Sequence, residues 1–474
     1  MKRPTWLLLI LLCTLSASAA KIKYPGRKTY VYRYTLIDKA HTEYSLDQPR
    51  RFLSHKCILR RERQGLAVDS TDLPVCRTYI EQFKQHGVEV IGTSRWQNTV
   101  LVRSTDTLLL ASLTRMPIVT DGRCVFSSPD SIDAPGTIRW NVHEDFNLWD
   151  SVKNDRYAGS REQIEALGGI RLHQAGFTGK GITIAVLDGG FQNYDRIPAL
   201  QYARIKGTRD FVVPIIPDTE GGKKKTKKQA NTAPFHANDH GTKVLSAMAA
   251  NAPEVMMGTA PDATYWLLKC EDTDTEQPIE EDYWTMAAET ADSVGADIIN
   301  SSLGYFDYDG DANDLRFQDL DGKTTFISRS ASMLARKGII LCNSAGNAGM
   351  GQWKKISVPA DAHDILTVGA IDKRHRLAAF SSIGPTQDGR VKPDVVAQGT
   401  SVTLLSGRGT LVRDMGTSFS TPLITGLVAC LWQAMPEKSA LEIIDLVRQS
   451  AHQYSEPTNI YGYGIPNFWN AYIK

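Results

Sequence analysis

The sequence predicts an α/β fold, a mostly parallel sheet with helices on both faces, preceded by a small α+β unit. Three observations carry this. From residue 156 to 474, short and nearly continuous apolar runs alternate with helical segments, the pattern of strands buried on both faces. Over residues 21–125, strand-like and helix-like segments alternate closely enough to build one small sheet. Between them, residues 126–155 turn polar and irregular, with Pro129, Pro135 and Gly136, the composition of a linker.

Each element follows from its residues. In the first unit the strand "TYVYRYTLI" precedes the helices "RRFLSHKCILRRERQ" and "LPVCRTYIEQFKQHG". Strands in "VEVIGTSRWQNTVLVRS", the helix "TDTLLLASLTR" and the strand "PIVT" complete it. In the second unit the strands read "GITIAVLD", "ATYWLLKC", "ADIINSSLG", "GIILCNSAGN", "ILTVGAI" and "PDVVA". A chain of 474 residues exceeds what one hydrophobic core serves, which agrees with two folded units. A net charge of +2 with 22% charged residues gives no reason to invoke nucleic acid.

Residues 1–20 read as a signal peptide: Lys2 and Arg3, then "WLLLILLCTL", then the small residues "SASAA". The apolar run is shorter than the ~20 residues of a membrane span. An uncleaved anchor is the alternative. The expectation is an exported monomer, secreted or periplasmic, with no stable membrane anchor. Cys13 leaves with the signal; the other six cysteines show no CxxC spacing. Cys342 and Cys430 sit in apolar runs and read as buried thiols, while Cys57 and Cys76 are candidates for a bridge between helices of the first unit.

In parallel α/β sheets function collects at the carboxyl ends of strands. "GITIAVLDGGF" ends in Asp188, placed to orient a partner or, alternatively, to cap a turn. "NDHGTKVLSAMAA" opens a helix with His240 at its approach, a base available near neutral pH; His236, Asp239 and His240 offer a metal-binding alternative. In "GTSFSTPLITGLVA", Pro422 lacks an N–H and belongs in a first turn, so the helix begins near Ser418. Leu423, Ile424, Leu427, Val428 and Leu431 form its buried stripe. The serine hydroxyl then sits where the helix dipole favours developing negative charge, with a plain helix cap as the alternative.

The order Asp188, His240, Ser418, with "VLDGG", "DHGT", "NSSLG", "SAGN" and "GTSFSTP" in sequence, resembles the subtilisin-like serine proteases, or subtilases, over about residues 159–468. The resemblance implies that Ser418 is the nucleophile, His240 its base and Asp188 the orienting carboxylate. It implies that Asn347, with the Ser418 backbone N–H, holds the oxyanion. It also implies that Ser302, Leu303 and Gly304 pair with an extended substrate, while Ser344, Ala345 and Gly346 line the primary specificity pocket. These six residues are small or apolar, so a broad or apolar preference is expected. The chemistry needs no cofactor, and the partners are polypeptide substrates.

Residues 21–125 match, in size and position, the inhibitory propeptide of subtilases, here an intramolecular inhibitor removed by a cut in residues 126–155. The sum is a secreted zymogen, a self-processing endopeptidase, with no room after "YGYGIPNFWNAYIK" for a further sorting domain. Departures from the family pattern are few. "HGTKVLS" replaces the usual "HGTHVAG", and Lys243 and Ser246 bring packing into question. "GGKKKTKKQA" reads as a solvated basic loop, with attraction of acidic substrates or a nick site as alternatives. The loop holding Asp307, Asp309, Asp311, Asp314, Asp319 and Asp321 reads as solvated, with structural calcium, common in subtilases, as the alternative.

Overall fold

A computed structural model describes residues 21–24, 27–133, 155–213, 238–310 and 313–474. Residues 1–20, His236, Asp311, the basic loop and most of the expected linker lie outside the described residues. The first unit opens with β1 (Lys21–Lys23). Its main sheet is antiparallel, built from β2 (Tyr30–Leu36), β3 (Glu89–Ser94), β4 (Thr99–Ser104) and β5 (Val119–Ser127) in the order β3-β4-β2-β5. Strand β5 outruns "PIVT" because Asp121, Gly122 and Arg123 hide the apolar alternation although they pair in register with β2. β6 (Ser131–Asp133) then pairs with β1, so the chain stays with the first unit past residue 125.

Side chains alternate across a strand, and both faces of this sheet are used. Tyr34, Leu36, Val100 and Val102 pack on α2 (Arg77–Gln85) and α3 (Thr107–Leu113). Val31, Leu101 and Val125 face the other way and join the core of the second unit beside Tyr283, Trp284 and Ala287. α1 (His55–Arg63) starts at Ser54, whose side chain caps the Cys57 N–H.

The second unit holds seven parallel strands: β7 (Thr183–Asp188), β8 (Arg204–Asp210), β9 (Thr264–Lys269), β10 (Ile298–Ser301), β11 (Ile340–Ser344), β12 (Leu366–Ile371) and β13 (Val395–Gln398). Their order is β13-β12-β11-β10-β7-β9-β8. β8 carries no apolar run because it is an edge strand paired on one side only. α4 (His240–Ala249) and α6 (Thr417–Ala434) cover one face with Ile184 and Val186. α5 (Ile279–Val294) covers the other with Ala185 and Leu187. α6 is buried on all sides from Thr417 to Trp432, where an amphipathic stripe was expected. The strand order reverses between β7 and β10, so a crevice opens at their carboxyl ends.

All six described cysteines are free thiols, so Cys57 and Cys76 do not bridge; Cys57 Sγ reaches Asp292 at 3.4 Å, while Cys76 lies in the first unit's own core. No helix among the described residues is long and apolar enough to cross a membrane.

Candidate active site

The N-terminus of α6 explains its crowd of hydroxyl residues. Pro422 lies within the helix and has no N–H to offer the Ser418 carbonyl four residues earlier. Ser302 Oγ donates to that carbonyl instead, at 2.9 Å, and Ser418 Oγ donates back to the Ser302 carbonyl at 3.3 Å. The end of β10 is thereby tied to the start of α6. Ser420 Oγ and Thr421 Oγ1 donate to the Thr417 carbonyl at 3.0 and 2.8 Å, and Thr425 Oγ1 donates to Asn300 Oδ1 at 2.8 Å. Hydroxyls of this helix thus bond within it, to the sheet or to the loops that follow its strands.

Asp188 ends β7, wholly buried. Its Oδ1 accepts from the Gly189 N–H and from His240 Nδ1, both at 2.8 Å, while Oδ2 is buried with no hydrogen-bond partner among the described residues. A carboxylate only accepts, so Nδ1 carries the proton and Nε2 is the basic nitrogen. A side chain at Gly241 would collide with the Gly190 carbonyl, so glycine there lets the aspartate and histidine loops close on one another. Burial disfavours the His240 imidazolium, but the charge and hydrogen bond of Asp188, helped by Glu271, outweigh it and raise the pKa to about 9.

His240, Ser418 and Asn347 line one cavity of 690 Å³, with Asp188 behind the imidazole. The Thr417 N–H and Oγ1 donate to Asn347 Oδ1 at 3.0 and 2.9 Å. That orients the amide and leaves its NH₂ at the cavity without an acceptor among the described residues. Ser302, Leu303, Gly304, Ser344 and Gly346 also line it. Ala345 does not: it is fully buried in the core beneath, because alternation along the chain after β11 turns it inward. The Ser418 hydroxyl is bonded to Ser302 rather than to the imidazole, and the Phe419 ring lies 5.5 Å from the His240 ring.

One wall was missed by motif reading. Glu271, Asp272, Asp274 and Glu276, on the loop after β9, line the same cavity. The only signal was "CEDTDTEQP", an acidic stretch at the carboxyl end of a strand.

Lys243 and Ser246 fit without disruption. Lys243 Nζ bonds Asp414 Oδ2 at 3.2 Å, and Ser246 Oγ donates to the Lys243 carbonyl at 2.7 Å while accepting the Leu405 N–H at 2.9 Å. The described aspartates of the acidic loop bond mostly to backbone N–H groups. Asp307 is exposed. Asp309 accepts the Glu276 N–H, Asp314 that of Tyr308, Asp319 that of Arg316, and Asp321 those of Lys323 and Thr324. No group of three or more His, Cys, Asp or Glu side chains that could hold a metal occurs among the described residues. His240 Nδ1 is committed to Asp188, which also removes it from a metal set through that nitrogen.

A profile of the subtilase family matches residues 179–464, spanning both the aspartate and the serine. The chain belongs to the subtilase family of serine proteases. A profile described as the peptidase S8 propeptide domain of Bacteroidota matches residues 31–135 of this subtilase, the first unit. The serine protease AprX of Bacillus subtilis (strain 168) is 28% identical over 324 residues, 62% of this chain and 66% of AprX. The M-protease of Shouchella clausii (strain KSM-K16) is 26% identical over 72% of this chain and 76% of its own. Among solved structures, the prenylagaramide maturation protease PagA matches in fold, with a TM-score of 0.50 and 22% identity over 65% of this chain and 97% of that one.

Proposed function

We propose that this subtilase is an exported endopeptidase made as a zymogen, with Ser418, His240 and Asp188 as its catalytic triad. The observation that carries the reading is the Asp188–His240 hydrogen bond beside a cavity shared with Ser418 and the oriented Asn347 amide. Rotation of the Ser418 side chain away from the Ser302 carbonyl brings its hydroxyl to His240 Nε2. Nε2 takes the proton as Oγ attacks the substrate carbonyl carbon, and the carbonyl electron pair moves onto oxygen. Asn347 Nδ2 and the Ser418 N–H donate to that oxyanion. The imidazolium, steadied by Asp188, gives its proton to the leaving amine as the C–N bond breaks. Water, deprotonated by the same nitrogen, then cleaves the acyl ester and restores Ser418. No cofactor enters.

Ser302 to Gly304 would pair with the substrate backbone, and Ser344 and Gly346 would flank the side chain of the acyl residue. The first unit would inhibit in cis until the chain is cut between residues 134 and 154, after β6 has closed that unit. Residues 1–20 would direct export to the periplasm or beyond, and the product would act as a monomer on polypeptides. Ser418→Ala tests this: peptide hydrolysis should fall about 10⁶-fold, as loss of the nucleophile does in subtilisin. Intact mass should show the first unit still attached. Undiminished hydrolysis or processing in the variant would refute the assignment.

A further inference from the structure

We infer that the cleft selects a cationic side chain, Lys or Arg, at the substrate residue preceding the acyl residue, with Glu271 and Glu276 as its carboxylate partners. This rests on the serine-protease reading of the cleft.

The sheet order supplies the geometry. Ser302–Gly304 follow β10; Ser344 and Gly346 follow β11 on one side of it. His240 bonds to the end of β7, and Glu271 to Glu276 follow β9, on the other side. An extended chain laid along Ser302–Gly304 points successive side chains to opposite flanks. If the acyl residue points to Ser344 and Gly346, the residue before it points to the β7 and β9 flank, where Glu271 packs against Gly189 and its charge is felt at His240.

That flank carries four carboxyl side chains, Glu271, Asp272, Asp274 and Glu276. No Lys or Arg lines the cavity among the described residues. The carboxylates of Glu271 and Glu276 make no hydrogen bond or ion pair with any described residue, and burial together with neighbouring carboxylates pushes their pKa values up to about 7 and about 8. Behind them Glu280 is fully buried, and among the described residues both of its carboxylate oxygens and the enclosed Tyr305 hydroxyl beside it have no hydrogen-bond partner. A cation brought in by substrate relieves this repulsion and gains charge-assisted hydrogen bonds, which a neutral side chain does not. The small residues across the cleft set the fit of the acyl residue; the charge preference belongs to its neighbour.

The test uses the processed wild-type enzyme and peptide sets that differ only at the residue before the acyl residue, carrying Lys, Arg, Gln or Glu. The expected kcat/KM for Lys or Arg exceeds that for Gln by about tenfold, the lower range for a hydrogen bond to a charged group. Glu ranks last. In Glu271→Gln/Glu276→Gln the Lys-to-Gln ratio should collapse toward one, with fluorophosphonate labelling of Ser418 used to verify a folded site. The single variant Glu271→Gln gives the same readout if the double variant does not fold. A wild-type protein labelled at Ser418 whose Lys-to-Gln ratio is near one, or a ratio untouched in the variants, would overturn the inference alone. A wild-type protein that neither labels nor cleaves would overturn the protease reading with it.

Discussion

Helix α5 separates two populations of buried carboxylates that are treated in opposite ways. Toward the first unit, Asp282 pairs with Arg33, and Asp292 receives Arg60, Arg61 and Arg95. Glu289 accepts the Ser94 hydroxyl and the N–H groups of Arg95 and Trp96. Toward the cleft, Glu280 in the first turn of the same helix and Glu271 on the preceding loop make no ion pair among the described residues. Burial opposes ionisation of Asp292, yet its three arginines hold its pKa well below the usual range, whereas the Glu271 carboxyl is pushed up. One surface is satisfied from within the chain. The other has carboxyl groups without an ion pair among the described residues.

The paired contrast gives the largest stability effect. In the unprocessed chain carrying Ser418→Ala, Asp292→Ala removes the carboxylate partner of buried Arg60 and Arg95, while Arg61 keeps Asp72, and should destabilise by about 3–5 kcal/mol, read from denaturant unfolding. Glu280→Leu in the same background removes an unsatisfied buried carboxyl and should leave stability unchanged or raise it. Equal losses from both would erase the distinction. Next in size, Asn347→Ala should lower kcat about 10²- to 10³-fold, the cost known for the corresponding donor in subtilisin. A loss confined to KM would place Asn347 outside the oxyanion site.

The smallest expected effect concerns pH. A general base works only when neutral, so kcat/KM should rise with pH through a limb near 9, the raised pKa of His240. Asp188 and Glu271 raise that value while burial and Lys243 oppose them, so Glu271→Gln should move the limb to lower pH by less than about one unit. An unmoved limb would show that the acidic wall does not reach the imidazole.

Much of this was legible in the residues. Strands such as β7 and β11 are apolar because both faces are covered, and the motifs at their ends led to Asp188 and Asn347, which the structure places at one cleft. β8 was illegible because an edge strand keeps polar side chains. Ala345 shares a motif with Ser344 and Gly346, but only the backbone direction shows that it turns into the core. The acidic wall has no periodicity, and its meaning comes from β9 lying beside β7. The Arg33–Asp282 pair joins residues 249 positions apart, which no local pattern announces.

The central claim is that Asp188, His240 and Ser418 act as one unit, and covalent labelling tests it most directly. A fluorophosphonate, followed by peptide mapping, should modify Ser418 alone, with the rate falling sharply in His240→Ala. Modification at another residue, or a rate indifferent to His240, would contradict the account.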